Sequence, residues 1–387
     1  MQQIELIAPC HFGLEAVLKR EIYDLGYDIA RVEDGRVTFY GDEEAVCRAN
    51  VNLRTAERIL LKAGAFHAET FDELFEQVRA IPWEDYIPAD GRFWVTKAST
   101  VRSRLHSAPD IQSVTKKAIV TRLARVYGIR HFEETGASYP IRMLFNKDEV
   151  TVGLDTSGTP LHKRGYRVLK NKAPLSETLA ASLLMLTPFR AGRILLDPFC
   201  GSGTFLIEAA LMASNIAPGM HRTFTAQAWT NRIGKTLWDD TFEEARELVT
   251  PDTASVLLGS DIDANIIRAA ASNAARAGVA DRIRFETKPV SEVHPAGEYG
   301  FLIANPPYGE RMEALPQLYK EIGQLMRSLD TWSHYLLTAY PDAERQIGRR
   351  AAKNRKIYNG MIRTYFYQYP GPKPPKAKAQ AGEHIQV

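Results

Sequence analysis

Short apolar runs alternate along this chain with stretches in which apolar residues recur every three or four positions, and that alternation predicts strands interleaved with helices. Gln3 to Ala8 reads as a strand, Gly13 to Leu25 as an amphipathic helix, and Asp28 to Tyr40 as a hairpin turning at Glu33-Asp34-Gly35. Arg58 to Phe66 is a further strand, followed by a short helix from Phe71 to Ala80 with Thr70 as its cap. Gly91 to Ala98 alternates as a strand. Asp110 is then expected to cap a long helix through Tyr127 that Gly128 ends. Ser138 to Phe145 and Glu149 to Leu154 complete an α+β region.

Beyond a basic connector, residues 159–175, the pattern changes. A helix from Ser176 to Leu186 leads into strictly alternating strands and helices through Leu337, which predicts a mostly parallel, Rossmann-like α/β sheet. Lys353 to Tyr358 and Met361 to Tyr369 flank Asn359-Gly360, a strong hairpin signal. The expected units are therefore 1–58, 59–158 and 159–370, with a disordered tail, 371–387, rich in proline, lysine and alanine.

Composition narrows the class only a little. At 387 residues, 45% hydrophobic and 25% charged, the chain has ample length for two or three domains with sizeable cores. Cys10, Cys47 and Cys200 are too scattered for a disulfide framework or a zinc site, so no metal is expected and a reducing cytoplasm is. No apolar run reaches the ~18 residues of a membrane span. The net charge of +3 does not by itself point to nucleic acid.

Three strand ends carry the candidate chemistry. Arg193 to Leu196 runs into Asp197-Pro198-Phe199-Cys200-Gly201-Ser202-Gly203-Thr204-Phe205 and then an apolar helix, Leu206 to Ala213. Strand, glycine turn and helix make a nucleotide-type cradle, with Gly201 and Gly203 admitting close backbone approach and the first helical turn offering free N–H groups. The third glycine of a dinucleotide site is missing. Ser255 to Ser260 ends at Asp261-Ile262-Asp263, where an acid at the tip of the next strand suits a ribose diol and Asp263 suits a helix cap. Phe301 to Ala304 ends at Asn305-Pro306-Pro307-Tyr308.

That tetrad suits an exocyclic amine. Such an amine is a poor nucleophile, because its lone pair is delocalised into the base; accepting both N–H hydrogens draws the pair out of plane. The Asn305 side-chain oxygen and the Pro306 carbonyl are two acceptors, held in a narrow range of φ and ψ by the prolines that follow them. Tyr308 adds a face on which a flipped base stacks. Glycine turn, acidic strand end and Asn-Pro-Pro-Tyr, in that order, resemble the class I methyltransferases that use S-adenosylmethionine. The terminal hairpin on an otherwise parallel sheet favours that cofactor over NAD.

The rest of the chain resembles the bacterial THUMP-domain RNA methyltransferases that modify guanine N2. The resemblance rests on Leu6-Ile7-Ala8-Pro9-Cys10 with Gly13-Leu14-Glu15, on Asn52 to Arg58, on Val101-Arg102-Ser103-Arg104-Leu105, on Leu161-His162-Lys163-Arg164-Gly165-Tyr166-Arg167, and on Ala173 to Thr178. It implies a ferredoxin-like unit at the amino terminus, a THUMP module after it, and the catalytic half of an enzyme that makes N2-methylguanosine in large-subunit ribosomal RNA. In some bacteria that enzyme is fused to a second methyltransferase, which is not expected within these 387 residues.

The implied roles follow residue by residue. Asp261 and Ile262 would hold the cofactor ribose, while Asp197, Pro198, Phe199, Cys200 and the Gly201 to Thr204 loop would hold its methionine end. Asn305, Pro306, Pro307 and Tyr308 would receive the base, with Asn305 also touching cofactor. Cys200 lies in the cofactor loop, so a packing role is expected instead of nucleophilic catalysis. After the third strand, Lys288-Pro289-Val290-Ser291-Glu292 departs from the acid that often meets adenine.

RNA is the implied partner. From Arg92 to Arg130 there are nine Lys or Arg against the single acid Asp110, among them Lys97, Arg102, Arg104, Lys116, Lys117 and Arg122. A second patch in the connector holds Lys163, Arg164, Arg167, Lys170 and Lys172; a third, Arg345 to Arg363, has seven cations and no acid. Ribosomal RNA is favoured over transfer RNA. Adenine N6 is the nearest rival target, and a non-catalytic RNA-binding or assembly factor is the rival of another class. The choice between amines is assigned to the pocket around Tyr308, with Gly309, Glu310 and Arg311.

Overall fold

A computed structural model describes residues 3–167, 175–251, 254–308 and 313–375. The amino-terminal half runs β1 (Ile4–Pro9), α1 (Glu15–Asp24), β2 (Ile29–Glu33), β3 (Arg36–Gly41), α2 (Glu43–Asn52), β4 (Leu60–His67), α3 (Phe71–Ala80), β5 (Arg92–Val101), α4 (Ala108–Tyr127), β6 (Ser138–Asn146) and β7 (Glu149–Asp155). The carboxyl half follows as α5 (Glu177–Met185), β8 (Ile194–Asp197), α6 (Thr204–Ala213), α7 (Lys235–Glu247), β9 (Val256–Asp261), α8 (Ala264–Arg276), β10 (Ile283–Thr287), β11 (Phe301–Ala304), α9 (Leu315–Ser328), β12 (Ser333–Thr338), α10 (Ala343–Ile347), β13 (Lys353–Asn359) and β14 (Ile362–Tyr369).

Helix ends explain most of these boundaries. Thr70 accepts from the Glu73 amide while Glu73 reaches back to Thr70, a full capping box on α3. Helix α4 starts earlier than expected: Ser107 is its boundary residue, and Pro109 and Asp110 both lie in the first turn, where the carboxylate complements the helix dipole. Gly128 ends it in the left-handed region at φ 68°. Helix α2 escaped the pattern; Asp42 caps it by accepting from the Ala45 amide.

The strands form two seven-stranded sheets, ordered β2-β3-β1-β4-β7-β6-β5 and β10-β9-β8-β11-β12-β14-β13. The first crosses the boundary expected near residue 58, because β1 pairs antiparallel with β4, Leu6 opposite Leu61. The two expected amino-terminal units thus share one sheet. The second sheet is parallel from β10 to β12 and antiparallel only at the β13–β14 hairpin.

The segment between α6 and β9 also departs from a simple alternation. Ala217, Phe224, Trp229, Ile233, Trp238 and Ala245 lie in the core of the amino-terminal sheet, not of the catalytic one. Trp229 stacks on Tyr139 at 5.0 Å and 16°, and its indole donates to the Ser138 carbonyl at 2.8 Å. Such an aromatic pair adds roughly 0.5–1.5 kcal/mol beyond its burial. In return, Leu14 and Val17 of the amino-terminal unit pack into the catalytic core. The halves are interlocked by exchanged elements.

Candidate active site

In the second sheet the chain proceeds outward from β8 to β9 and β10, then returns to add β11 on the other side. The strand order reverses between β8 and β11, and ligands of open α/β sheets bind outside the carboxyl ends of strands at such a reversal. A cavity of about 640 Å³ opens there, lined among others by Asp197, Gly201, Asp261, Asn305, Pro289 and Val290. All three strand ends singled out in the sequence therefore meet in one place.

The loop after β8 is held from several sides. The Asp197 carboxylate accepts from the Phe199 amide at 3.1 Å, Cys200 N–H donates to the Ser260 carbonyl at 3.0 Å, and Gly201 N–H donates to Asp261 Oδ2 at 3.2 Å. Asn273 of α8, buried, donates to the Ser202 carbonyl at 3.1 Å. Nothing in the sequence singled out Asn273, since its partner lies 71 positions away. Gly201 has φ 52° and open space where a side chain would project, so it lets a ligand approach the backbone.

Gly203 serves a different purpose from the one expected. It does not line the cavity; it begins α6 at φ 83°, and an added Cβ would lie 3.2 Å from Phe285 and 3.3 Å from Ala270. Its lack of a side chain lets the helix close on the sheet. Pro198, Phe199, Cys200, Ser202, Thr204, Ile262 and Pro307 line the cavity, whereas Pro306 and Tyr308 are not among its lining residues.

Burial sets the electrostatics. Asp197 is 1% exposed, and desolvation, with Asp261 adding repulsion, pushes its carboxyl up to about 8. Desolvation also raises the Cys200 thiol far above its ordinary range, with Asp197 and Asp261 adding to the effect. A thiol so held is inert, in keeping with packing. Asp263 caps α8 by accepting from the Asn265 amide at 2.8 Å. Beyond β10, where an acid is missing from the sequence, the wall is apolar: Pro289 and Val290.

The Asn305 side-chain oxygen is buried and has no hydrogen-bond partner among the described residues. A buried acceptor left unpaired costs about 1–3 kcal/mol, and this one belongs to a residue that lines the cavity. Tyr308 is half-buried beside it, and its hydroxyl accepts from the Asn359 side chain at 3.1 Å. Gly309, Glu310 and Arg311 lie outside the described residues.

The connector corrects an expectation. Arg164 is buried, donates to the Arg54 carbonyl at 2.5 Å and the Leu161 carbonyl at 2.7 Å, and lies 3.6 Å from the buried Glu208. Arg167 donates to Thr204 Oγ1 at 2.6 Å and the Leu175 carbonyl at 2.8 Å, with Glu177 3.7 Å away. Both face inward, where carbonyl and hydroxyl oxygens accept from their terminal nitrogens and carboxylates lie within 4 Å, although each Nε is left without a partner, so neither is placed to meet a phosphate. They strap the amino-terminal half to α6 and the loop after β8. Lys163 is exposed; Lys170 and Lys172 lie outside the described residues.

The basic stripe is also partly neutralised. Arg122 forms a two-bond pair with Glu84, Lys116 meets Glu134 at 2.9 Å, and Arg104 pairs with Glu69. Lys97, Arg102 and Lys117 are exposed and form no ion pair among the described residues.

Comparison with known proteins agrees with this architecture. A family model described as the RMKL-like methyltransferase domain matches residues 164–368, an RlmL ferredoxin-like domain matches 5–60, and a THUMP domain matches 68–155. The chain belongs to the RMKL-like, THUMP-containing methyltransferases.

A putative RNA methyltransferase, YpsC, of Bacillus subtilis (strain 168) is 46% identical over 95% of this chain and 96% of its own length. The ribosomal RNA large subunit methyltransferase K/L of Cellvibrio japonicus (strain Ueda107) is 35% identical over 92% of this chain, which spans half of that protein's length. Among solved structures, SMU.472, a putative methyltransferase complexed with SAH, shares 38% identity with a TM-score of 0.91, covering 97% of this chain and all of that one. A structure named as a predicted N6-adenine-specific DNA methylase from Listeria monocytogenes str. 4b F2365 shares 45% identity with a TM-score of 0.90, covering 96% and 97%. Methyltransferases of this family take S-adenosylmethionine as methyl donor, and the residues here fit it: an apolar wall for a base, Asp261 at a strand tip, and the bared backbone at Gly201 beside Asp197.

Proposed function

We propose that this protein transfers a methyl group from S-adenosylmethionine to guanine N2 in RNA, with large-subunit ribosomal RNA ahead of transfer RNA as the substrate. The observation that carries this reading is the unpartnered, buried Asn305 oxygen at the edge of the cavity, next to two prolines that fix the backbone. The donor supplies a methyl group already activated by positive sulfur, so no metal is needed.

The protein's part is placement. Asp261 holds the ribose diol, Pro289 and Val290 cover the adenine, and Asp197 with the Gly201 loop receives the methionine end. Asn305 and the Pro306 carbonyl accept the two amine hydrogens, so that the nitrogen lone pair faces the methyl group. Orientation of this kind is worth about 7–11 kcal/mol. Extruding the base costs a few kcal/mol, repaid by its pocket. Lys97, Arg102, Lys117 and Lys163 are exposed to track the phosphate backbone.

The same acceptors suit adenine N6. Incubating the protein with total RNA from a strain lacking its gene, then mapping modified nucleosides by mass spectrometry, distinguishes the two. N2-methylguanosine confined to large-subunit RNA is the expected result. Methyl on adenine alone removes the guanine assignment, and methyl on transfer RNA alone removes the ribosomal one. Retained cofactor binding with no methyl on any RNA favours a non-catalytic factor.

A further inference from the structure

The hairpin that ends the sheet does not turn where the sequence pattern puts it. Asn359 pairs with Ile362, so the two-residue loop is Gly360-Met361 and the expected Asn-Gly turn is shifted by one. Gly360, at φ 61°, takes the first loop position, which a glycine-first hairpin turn requires. The shift has two consequences. Asn359 becomes a strand residue whose side chain donates to the Tyr308 hydroxyl at 3.1 Å, and Met361 is left at the apex.

Met361 is 98% exposed, the most exposed large apolar side chain among the described residues, and its neighbours Ile362 and Tyr358 are exposed too. At the apex of a hairpin, a side chain this exposed is free to meet a partner. The hairpin behind it is firm: Ile357 and Phe366 are fully buried, and Arg355 donates to the Gly13 carbonyl of the amino-terminal unit at 2.8 Å. Arg363, opposite Tyr358, and Lys356, opposite Tyr365, lie on the two strands behind the tip, exposed and without an ion-pair partner among the described residues.

We infer that Met361 is a wedge that enters the RNA stack beside the target and occupies the space of the base delivered to Asn305. Apolar side chains, methionine among them, unstack base steps when basic neighbours hold the backbone. Met361 sits at such a tip, and Asn359 ties the tip to Tyr308, three residues after Asn305. An unbranched thioether conforms to whichever base it abuts. A wedge matters only when the target is stacked or paired, so its loss acts on that step alone.

This inference rests on the RNA reading above, and the test separates the two. An RNA oligonucleotide spanning the mapped guanine is prepared in two forms, with that guanine in a paired stem and in an unpaired strand. For Met361→Ala we expect unchanged S-adenosylmethionine binding, unchanged methylation of the unpaired form, and a loss of about tenfold or more on the stem. Replacing the target with 2-aminopurine reports extrusion directly: its fluorescence rises with the native protein and stays low with the variant, while Met361→Leu restores the rise. Equal rates of Met361→Ala and native protein on the stem overturn the wedge and leave the proposed activity standing. A native protein that methylates no RNA in either form overturns the activity itself, and the wedge with it.

Discussion

The two sheets differ in what their sequences reveal. Around the β8, β9 and β11 ends, each candidate residue follows directly on its strand, so the backbone carries Asp197, Asp261 and Asn305 to one cavity once the strands are parallel neighbours. On the amino-terminal sheet the candidates were charges, and a charge acts through whatever faces it. Glu69, Glu84 and Glu134 lie outside the Arg92 to Arg130 window yet pair with Arg104, Arg122 and Lys116. A site defined by backbone position is legible locally; one defined by surface potential is not.

The largest test of that contrast is Arg164, a cation read as RNA-facing and found inside. Removing one partner of a buried pair costs about 3–5 kcal/mol because the other is left uncompensated. Arg164→Ala should lower the unfolding free energy read from urea denaturation by an amount of that order, leaving Glu208 with the Tyr166 hydroxyl at 3.0 Å and the charge of Arg54. A fall below about 1 kcal/mol, within the range of exposed pairs, would return Arg164 to the surface.

Next comes Asn305→Ala, on the legible side. Loss of one preorganised partner of a reacting group costs ~10²–10³ in turnover. S-adenosylmethionine affinity should change little, since Asp197, Asp261 and the Gly201 loop remain. Equal losses in affinity and turnover would make Asn305 chiefly a cofactor residue.

How far the sequence reaches can be judged from single residues. The alternation of carboxyl-terminal strands with helices was readable, because parallel strands need crossover connections between them. That Ala217 to Ala245 would leave this sheet and cover the other was not, since an amphipathic helix does not say which core it faces. Gly203 looked like a ligand-facing glycine, yet Phe285 and Ala270, distant in sequence, are what demand it. Asn273 and Arg167 hold the loop after β8 through partners far along the chain.

Asp197 sharpens the comparison through pH. With its carboxyl raised to about 8 by burial, it holds a proton at pH 7 in the free protein. In the proposed placement the cationic methionine end of the donor favours the ionised form, so binding should release a proton. The sign follows: affinity rises with pH until about 8 and then levels, by up to about tenfold per unit below that point. Calorimetry in buffers of differing ionisation enthalpy would count the proton. Asp197→Asn should abolish the release, and an unchanged count would assign it elsewhere.

The smallest effect lies on the amino-terminal sheet. Each phosphate contact contributes about −0.7 to −0.9 to the slope of log affinity against log salt, depending on strandedness. Lys117 is exposed, with its ammonium 5.9 Å from the Phe75 ring and no acid partner among the described residues. Arg122, five positions on in the same helix, already holds Glu84 through two bonds. Lys117→Ala should therefore flatten the slope by nearly one contact, and Arg122→Ala should leave it almost unchanged while loosening α4 against Glu84. Titration of labelled RNA at several salt concentrations reads both. If the two substitutions flatten the slope equally, the Glu84 pair opens to admit phosphate, and counting cations along the sequence was the better guide after all.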